Sequence, residues 1–213
     1  MLNRIKNRIK IYIRNIEFNK IKFDSYLDYK DYFLREDEDS QWDPVAFSKI
    51  IEENLGNQNN LTLVEIGVAR GGTAKYTINK LNKRVDKYFG VDPYKSKYDN
   101  SDMFSYFNQE FMDNCYLYVL DKITDPRFFL IRSESRNACS LFLNNSIDAI
   151  YIDGNHTYEA VIEDIDLWKE KIKDQGLIIG DDYLNFEGVR KAVKETFSDF
   201  KTSGNTWFVK IQD

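Results

Sequence analysis

Histidine, cysteine and surplus basic charge are all scarce in this chain, and each shortage narrows what it can be. Of 213 residues, one is a histidine and two are cysteines. Cys115 and Cys139 have no metal-type spacing, so they read as reduced thiols rather than as a disulfide framework or a zinc site. The formal net charge of -5 argues against a dedicated nucleic-acid binder, because such proteins display a dominant basic face. No run approaches the roughly 18 apolar residues of a membrane span, and the N-terminus lacks the apolar stretch of a secretory signal. The expectation is a cytoplasmic chain that is neither spanning nor exported. Repeats and low-complexity tracts are also missing, and the length suits one domain with a real core.

Two segments stand apart at the N-terminal end. In residues 1–20, Arg4, Lys6, Arg8, Lys10, Arg14 and Lys20 alternate with Leu2, Ile5, Ile9, Ile13 and Ile16 at helical spacing. Such a basic amphipathic helix either lies on an anionic membrane surface or docks on a partner, or else packs its isoleucine stripe on the domain. From Asp24 to Asp43 the chain mixes Tyr26, Tyr29, Tyr32, Phe33 and Trp42 with acids, a composition that seldom makes a core element. It reads as a cap over a ligand or as a solvated connector whose aromatics fill gaps. Residues 1–43 are therefore expected to form an appendage, and residues 44–213 the main domain.

From Pro44 onward, helical rhythms alternate with short apolar runs, the pattern of a parallel sheet wound with helices on both faces. Strands are expected at Leu61–Ile66, Tyr88–Val91, Phe128–Ile131, Ile147–Ile152, Leu177–Ile179 and Trp207–Ile211. Helices are expected to begin near Gly72, Ser101, Ser135, Tyr158 and Glu187. Phe200 to Thr202, Gly204-Asn205 and the last strand read as a closing β-hairpin. Glu159, Glu163 and Asp164 read as solvated helix charges, and Trp168 as core.

The first strand ends in Glu65-Ile-Gly67-Val-Ala-Arg-Gly71-Gly-Thr73, an acid and a glycine-rich turn that opens a helix. Glycines let backbone approach a ligand, and the helix start presents free amides. The spacing differs from the Gly-x-Gly-x-x-Gly that receives a pyrophosphate, and a carboxylate there suits an ammonium or a sulfonium instead. Asp92 closes the second strand, where an acid accepts both hydroxyls of a ribose. Ser133 and Glu134 follow the third strand, after Arg132. The polar and aromatic stretch from Tyr94 to Phe107 is either a flap or an ordinary connection.

The lone histidine, His156, stands three residues past Asp153 at the end of the fourth run, and the fifth run ends in Asp181-Asp182. Strand ends of this kind face the ligand crevice of an open α/β sheet. Carboxylates are hard oxygen ligands for a cation of the Mg²⁺ type, and an imidazole accepts a proton near neutral pH. The alternative is that the two aspartates cap the next segment and His156 satisfies a turn.

Tyr151-Ile-Asp-Gly-Asn-His-Thr-Tyr-Glu-Ala160, Gly180-Asp-Asp-Tyr183 and Gly188-Val-Arg-Lys-Ala-Val193, with the glycine turn, resemble class I S-adenosylmethionine-dependent methyltransferases. The likeness spans about Trp42 to the C-terminus, and within the class it is to the macrocin- and mycinamicin-type sugar O-methyltransferases. It implies a Rossmann-like, doubly wound, mostly parallel seven-stranded sheet with a C-terminal antiparallel hairpin. By the resemblance, Glu65, Gly67 and Gly71 would hold the methionine part of S-adenosylmethionine, Asp92 the ribose, and Ser133 with Glu134 the adenine. Asp153 would border that cofactor and, with Asp181 and Asp182, bind a divalent cation such as Mg²⁺, while His156 would be the base. The expected acceptor is a hydroxyl of a sugar or glycan precursor, the alternatives being a catechol-like or other small molecule, or a cofactor-binding module without catalysis; self-association and a membrane or protein contact through residues 1–20 complete the expectations.

Overall fold

The computed structural model describes residues 23–39, 44–99 and 107–212. The basic helix expected in residues 1–20 lies outside these residues. Helix α1 (Tyr26–Asp39) and α2 (Val45–Leu55) precede strand β1 (Leu61–Ile66), followed by α3 (Gly72–Leu81), β2 (Val85–Val91), α4 (Gln109–Lys122) and β3 (Phe128–Ile131). The second half runs α5 (Ser135–Ala138), β4 (Ile147–Ile152), α6 (Tyr158–Lys169), β5 (Ile172–Gly180), α7 (Glu187–Thr196), β6 (Lys201–Ser203) and β7 (Thr206–Lys210). The strands form one sheet in the order β3-β2-β1-β4-β5-β7-β6. Its first five strands are parallel, and β7 runs antiparallel to both β5 and β6. This is the seven-stranded, doubly wound sheet with a C-terminal hairpin that the alternating pattern predicts.

Side chains alternate across the sheet, so each central strand feeds two cores. Leu63, Ala149, Tyr151 and Ile179 pack with Phe47 and Ile50 of α2, Ile78 of α3 and Val119 of α4. Val64, Ile150, Ile152 and Ile178 pack with Ile165 and Trp168 of α6 and Ala192 and Val193 of α7. Both faces of β4 are therefore covered, which is why its sequence is an unbroken apolar run apart from Asp148. Asp148 caps the strand's start by accepting Thr62 N–H at 2.8 Å and pairing with Lys173.

Two differences from the sequence reading have physical causes. The aromatic and acidic segment forms α1, and Tyr29 and Phe33 are buried in the core against Phe111 and Tyr118 of α4. Its tyrosines and phenylalanine recur at helical spacing on one side, which the high content of acids obscured. Asp164, expected in solvent, is instead buried. It bonds Ser135, whose hydroxyl also accepts the Trp168 indole N–H at 2.7 Å, so the Ser135 hydroxyl at the start of α5 gives the buried carboxyl a partner. Trp168 itself is fully buried. The helix expected from Ser101 falls on residues 100–106, outside those described; α4 begins at Gln109, where Asn108 caps it by accepting Phe111 N–H at 2.8 Å.

The order of the strands reverses between β1 and β4. A doubly wound sheet opens its ligand crevice at such a point, outside the carboxyl ends of the strands. Glu65 and Gly67 leave β1 there, and Asp153 leaves β4.

Candidate active site

The glycine turn and the β4 end are in direct contact. Asp153 N–H donates to Ile66 O at 2.8 Å, and a Cβ at Gly67 would lie 2.0 Å from the carbonyl oxygen of Asp153. Gly67 also has φ +87, a left-handed conformation that disfavours any side chain. Only glycine lets the two strand ends close up in this way. Gly71 starts α3 in a left-handed conformation without a side-chain cap, leaving the helix amides for other acceptors.

Asp92, at the end of β2, holds the turn in shape. Its Oδ2 accepts Val68 N–H at 2.9 Å and Ala69 N–H at 3.0 Å, while Oδ1 accepts Tyr94 N–H at 2.7 Å. Burial pushes this carboxyl up, against the pull of those three amides. Glu65 is buried and accepts Tyr88 O–H at 2.9 Å. Burial pushes its pKa well above the ordinary carboxylate range, and the neighbouring Asp153 and Asp92 add to that. Glu65, Gly67, Asp92 and Asp153 thus share one rim, and a cationic ligand there would relieve a strained set of acids.

Ser133 joins this rim through its N–H, which donates to Asp92 O at 3.2 Å. Glu134 is half-buried, its carboxylate paired with Lys95 at 2.9 Å. Arg132 points elsewhere: its guanidinium pairs with Asp113 and lies over the Tyr116 ring.

Beyond Asp153 the chain turns to His156. The imidazole Nε2 lies 2.9 Å from Asp182 Oδ2 and 3.8 Å from Asp153 Oδ1, and all three side chains offer ligand atoms within 4.8 Å of one another. Nε2 is buried, yet its contact with Asp182 lacks the alignment of a hydrogen bond. Burial disfavours the imidazolium, but Asp153, Asp182 and Asp99 outweigh it and push His156 up to about 12. Burial pushes Asp153 up to about 7, whereas contact with His156 overcomes burial at Asp182 and holds that carboxyl low. In this arrangement the imidazolium supplies the positive charge that two facing carboxylates demand, the place a divalent cation would otherwise fill.

Asp182 adopts φ +61, unusual for a residue with a side chain. The turn is held from outside: Asn185 Nδ2 and Asn205 Nδ2 donate to Asp182 Oδ1 at 2.8 and 3.0 Å. Asn205, from the β6–β7 hairpin, also accepts Tyr183 N–H and Leu184 N–H, each at 2.9 Å. Asp181 faces another way, accepting the Thr206 hydroxyl at 3.2 Å and bonding Tyr151. The structure therefore gathers Asp153, His156 and Asp182, and directs the Asp181 carboxylate to the sheet beside them.

Sequence reading missed several partners. Asp99, 57 positions before His156, accepts its backbone N–H at 2.8 Å. Phe186 stacks on the imidazole with ring centroids 4.2 Å apart. Asn205 had been legible only as a hairpin turn. Nothing in their local spacing distinguishes them, because each acts across the tertiary fold.

Residues 64–183, more than half of the chain, match the family model described as Methyltransferase domain. An uncharacterised protein of Acanthamoeba polyphaga mimivirus is 28% identical over 163 residues, covering 71% of this chain and 67% of its own. Among solved structures, the O-methyltransferase NovP is similar with a TM-score of 0.61 at 14% identity, over 80% of this chain and 79% of its own. CalS11, the TDP-rhamnose 3'-O-methyltransferase of calicheamicin biosynthesis, is similar with a TM-score of 0.56 at 12% identity, over 92% and 99% of the two chains. At these identities the structural likeness concerns the fold.

Proposed function

As the chain belongs to the methyltransferase-domain family, we propose that it carries the methyl group of S-adenosylmethionine to a hydroxyl of a sugar or glycan precursor, with a divalent cation assisting at Asp153 and Asp182. The observation that carries this reading is the contact of Gly67 with Asp153, which sets the cofactor turn directly beside the His156 cluster. The sugar acceptor draws on the motifs around Asp153, Asp181 and Gly188 and on the activity named for CalS11.

In-line transfer forms a C–O bond as the methyl–sulfur bond breaks; the electron pair stays on sulfur, which loses its charge. The rim built from Glu65, Gly67 and Asp92 suits that sulfonium ligand because its acids favour positive charge. Holding acceptor and methyl in line contributes about 7–11 kcal/mol in well-aligned systems. His156 would receive the acceptor proton at Nε2 in its neutral form, which requires that positive charge other than its own offset Asp153 and Asp182; such a step is worth roughly 10²–10⁴-fold. A bound divalent cation supplies Lewis acidity, lowering the pKa of a hydroxyl and offsetting the charge of Asp153 and Asp182. Asp181, through Thr206 and Tyr151, braces the turn from which Asp182 projects.

The test is transfer from methyl-labelled S-adenosylmethionine to a panel of nucleotide sugars, TDP-rhamnose among them, with a catechol for comparison. The proposal expects labelled sugar, loss of transfer in excess EDTA and recovery with Mg²⁺ or Mn²⁺. Full activity in EDTA would remove the cation, and labelling of the catechol alone would remove the sugar.

A further inference from the structure

We propose that Asp99 is the positioning residue of His156, fixing both its ring plane and which nitrogen carries the proton. The inference rests on the reading of His156 as the proton acceptor and adds a partner that no motif contains. The Asp99 side chain is only 3% exposed, and one of its oxygens, Oδ2, meets His156 twice: it accepts the backbone N–H at 2.8 Å and lies 3.2 Å from Nδ1. A buried carboxylate needs donors, and here main chain and ring of the same residue supply two of them. Phe186 closes one face of the ring, with planes 13° from parallel. The imidazole is thereby held at its edge, its face and its backbone.

This geometry sets the tautomer. A carboxylate opposite Nδ1 accepts in either charge state, so in the neutral ring Nδ1 keeps the proton and Nε2, turned to the side of Asp153 and Asp182, is the atom left to receive one. The placement also links the two halves of the site. The segment that ends in Asp99 begins at Asp92; Tyr94 N–H donates to Asp92, and Asn155 Nδ2 donates to Tyr98 O at 3.2 Å. One short stretch leaves the cofactor acid and finishes on the base.

Because His156 is the sole histidine, protein labelled with ¹⁵N-histidine reports one imidazole without assignment. Wild type, Asp99→Ala and Asp99→Asn are compared with S-adenosylhomocysteine and Mg²⁺ present, together with the affinity for S-adenosylhomocysteine and transfer to the nucleotide-sugar panel. Wild type should show a hydrogen-bonded Nδ1–H. Asp99→Ala should lose that signal and about 100-fold in turnover, with cofactor affinity changed less than threefold. Asp99→Asn, whose amide oxygen still accepts, should retain Nδ1–H and recover part of the rate. Identical imidazole spectra in wild type and Asp99→Ala would overturn the assignment, as would an alanine variant of normal turnover. If Asp99→Ala fails to fold, an Asp99→Asn spectrum with its proton on Nε2 overturns it equally. A wild-type protein that binds cofactor but labels no acceptor would instead sink the proposed function, leaving the imidazole comparison to stand by itself.

Discussion

His156 meets a carboxylate at Nδ1 and two more near Nε2, so its replacement should separate chemistry from binding. His156→Ala is expected to lose turnover by about 10²–10⁴-fold while S-adenosylmethionine still binds, as isothermal titration calorimetry and a labelled-methyl assay would show. A near-normal rate would transfer the proton to another group. Gly67 makes the opposite demand, for no side chain at all. Gly67→Ala adds a Cβ where the Asp153 carbonyl already stands, in a left-handed backbone; it should cost about 2–4 kcal/mol in urea unfolding and abolish cofactor binding. At this scale much was legible: Asp153 and the pair Asp181-Asp182 end apolar runs and His156 is the sole histidine, though sequence did not tell which of the two adjacent aspartates turns toward His156. Asp99 does not, because a polar residue within Tyr98-Asp99-Asn100 looks solvated until a loop 57 positions distant closes on it.

Elements position what residues supply. The β6–β7 hairpin reaches the site through Asn205, which bonds Asp182 and two amides of the turn after β5. Asn205→Ala should weaken Mn²⁺ binding about 10- to 100-fold, read by electron paramagnetic resonance titration, with little change in the thermal midpoint. Unchanged Mn²⁺ affinity would reduce the hairpin to sheet closure. Helix α6 carries a second consequence through Asp164, pushed up to about 7 mainly by burial. An unfolded aspartate titrates near 3.9, so between about pH 4 and 7 the folded chain keeps a proton that the unfolded chain releases. The stability gained from that proton is full below about pH 4 and lost as pH rises through 7. Asp164→Asn should therefore flatten the fall in thermal midpoint over that window; an equal slope in the variant would show that Asp164 does not contribute. Helical spacing placed α6 and the burial of Trp168 correctly, but polarity alone misplaced Asp164. The hydroxyl of Ser135 that receives it comes from a different element.

Across the whole molecule, the alternation of apolar runs and helical rhythms was enough to read the doubly wound sheet. Strand order follows from it only through the family resemblance, since periodicity carries no information on which strands are neighbours. The order matters because it sets β1 beside β4, bringing the glycine turn against Asp153. No described helix is long and apolar enough to cross a membrane. In the proposed mechanism, methyl donor, cation and base meet at that one rim. Anomalous diffraction from crystals grown with S-adenosylhomocysteine and Mn²⁺ tests it most directly. A manganese peak bonded by Asp153 and Asp182, beside the His156 ring and facing the cofactor sulfur, is expected. Bound cofactor with no manganese at those carboxylates, or with its sulfur turned away from His156, would contradict it.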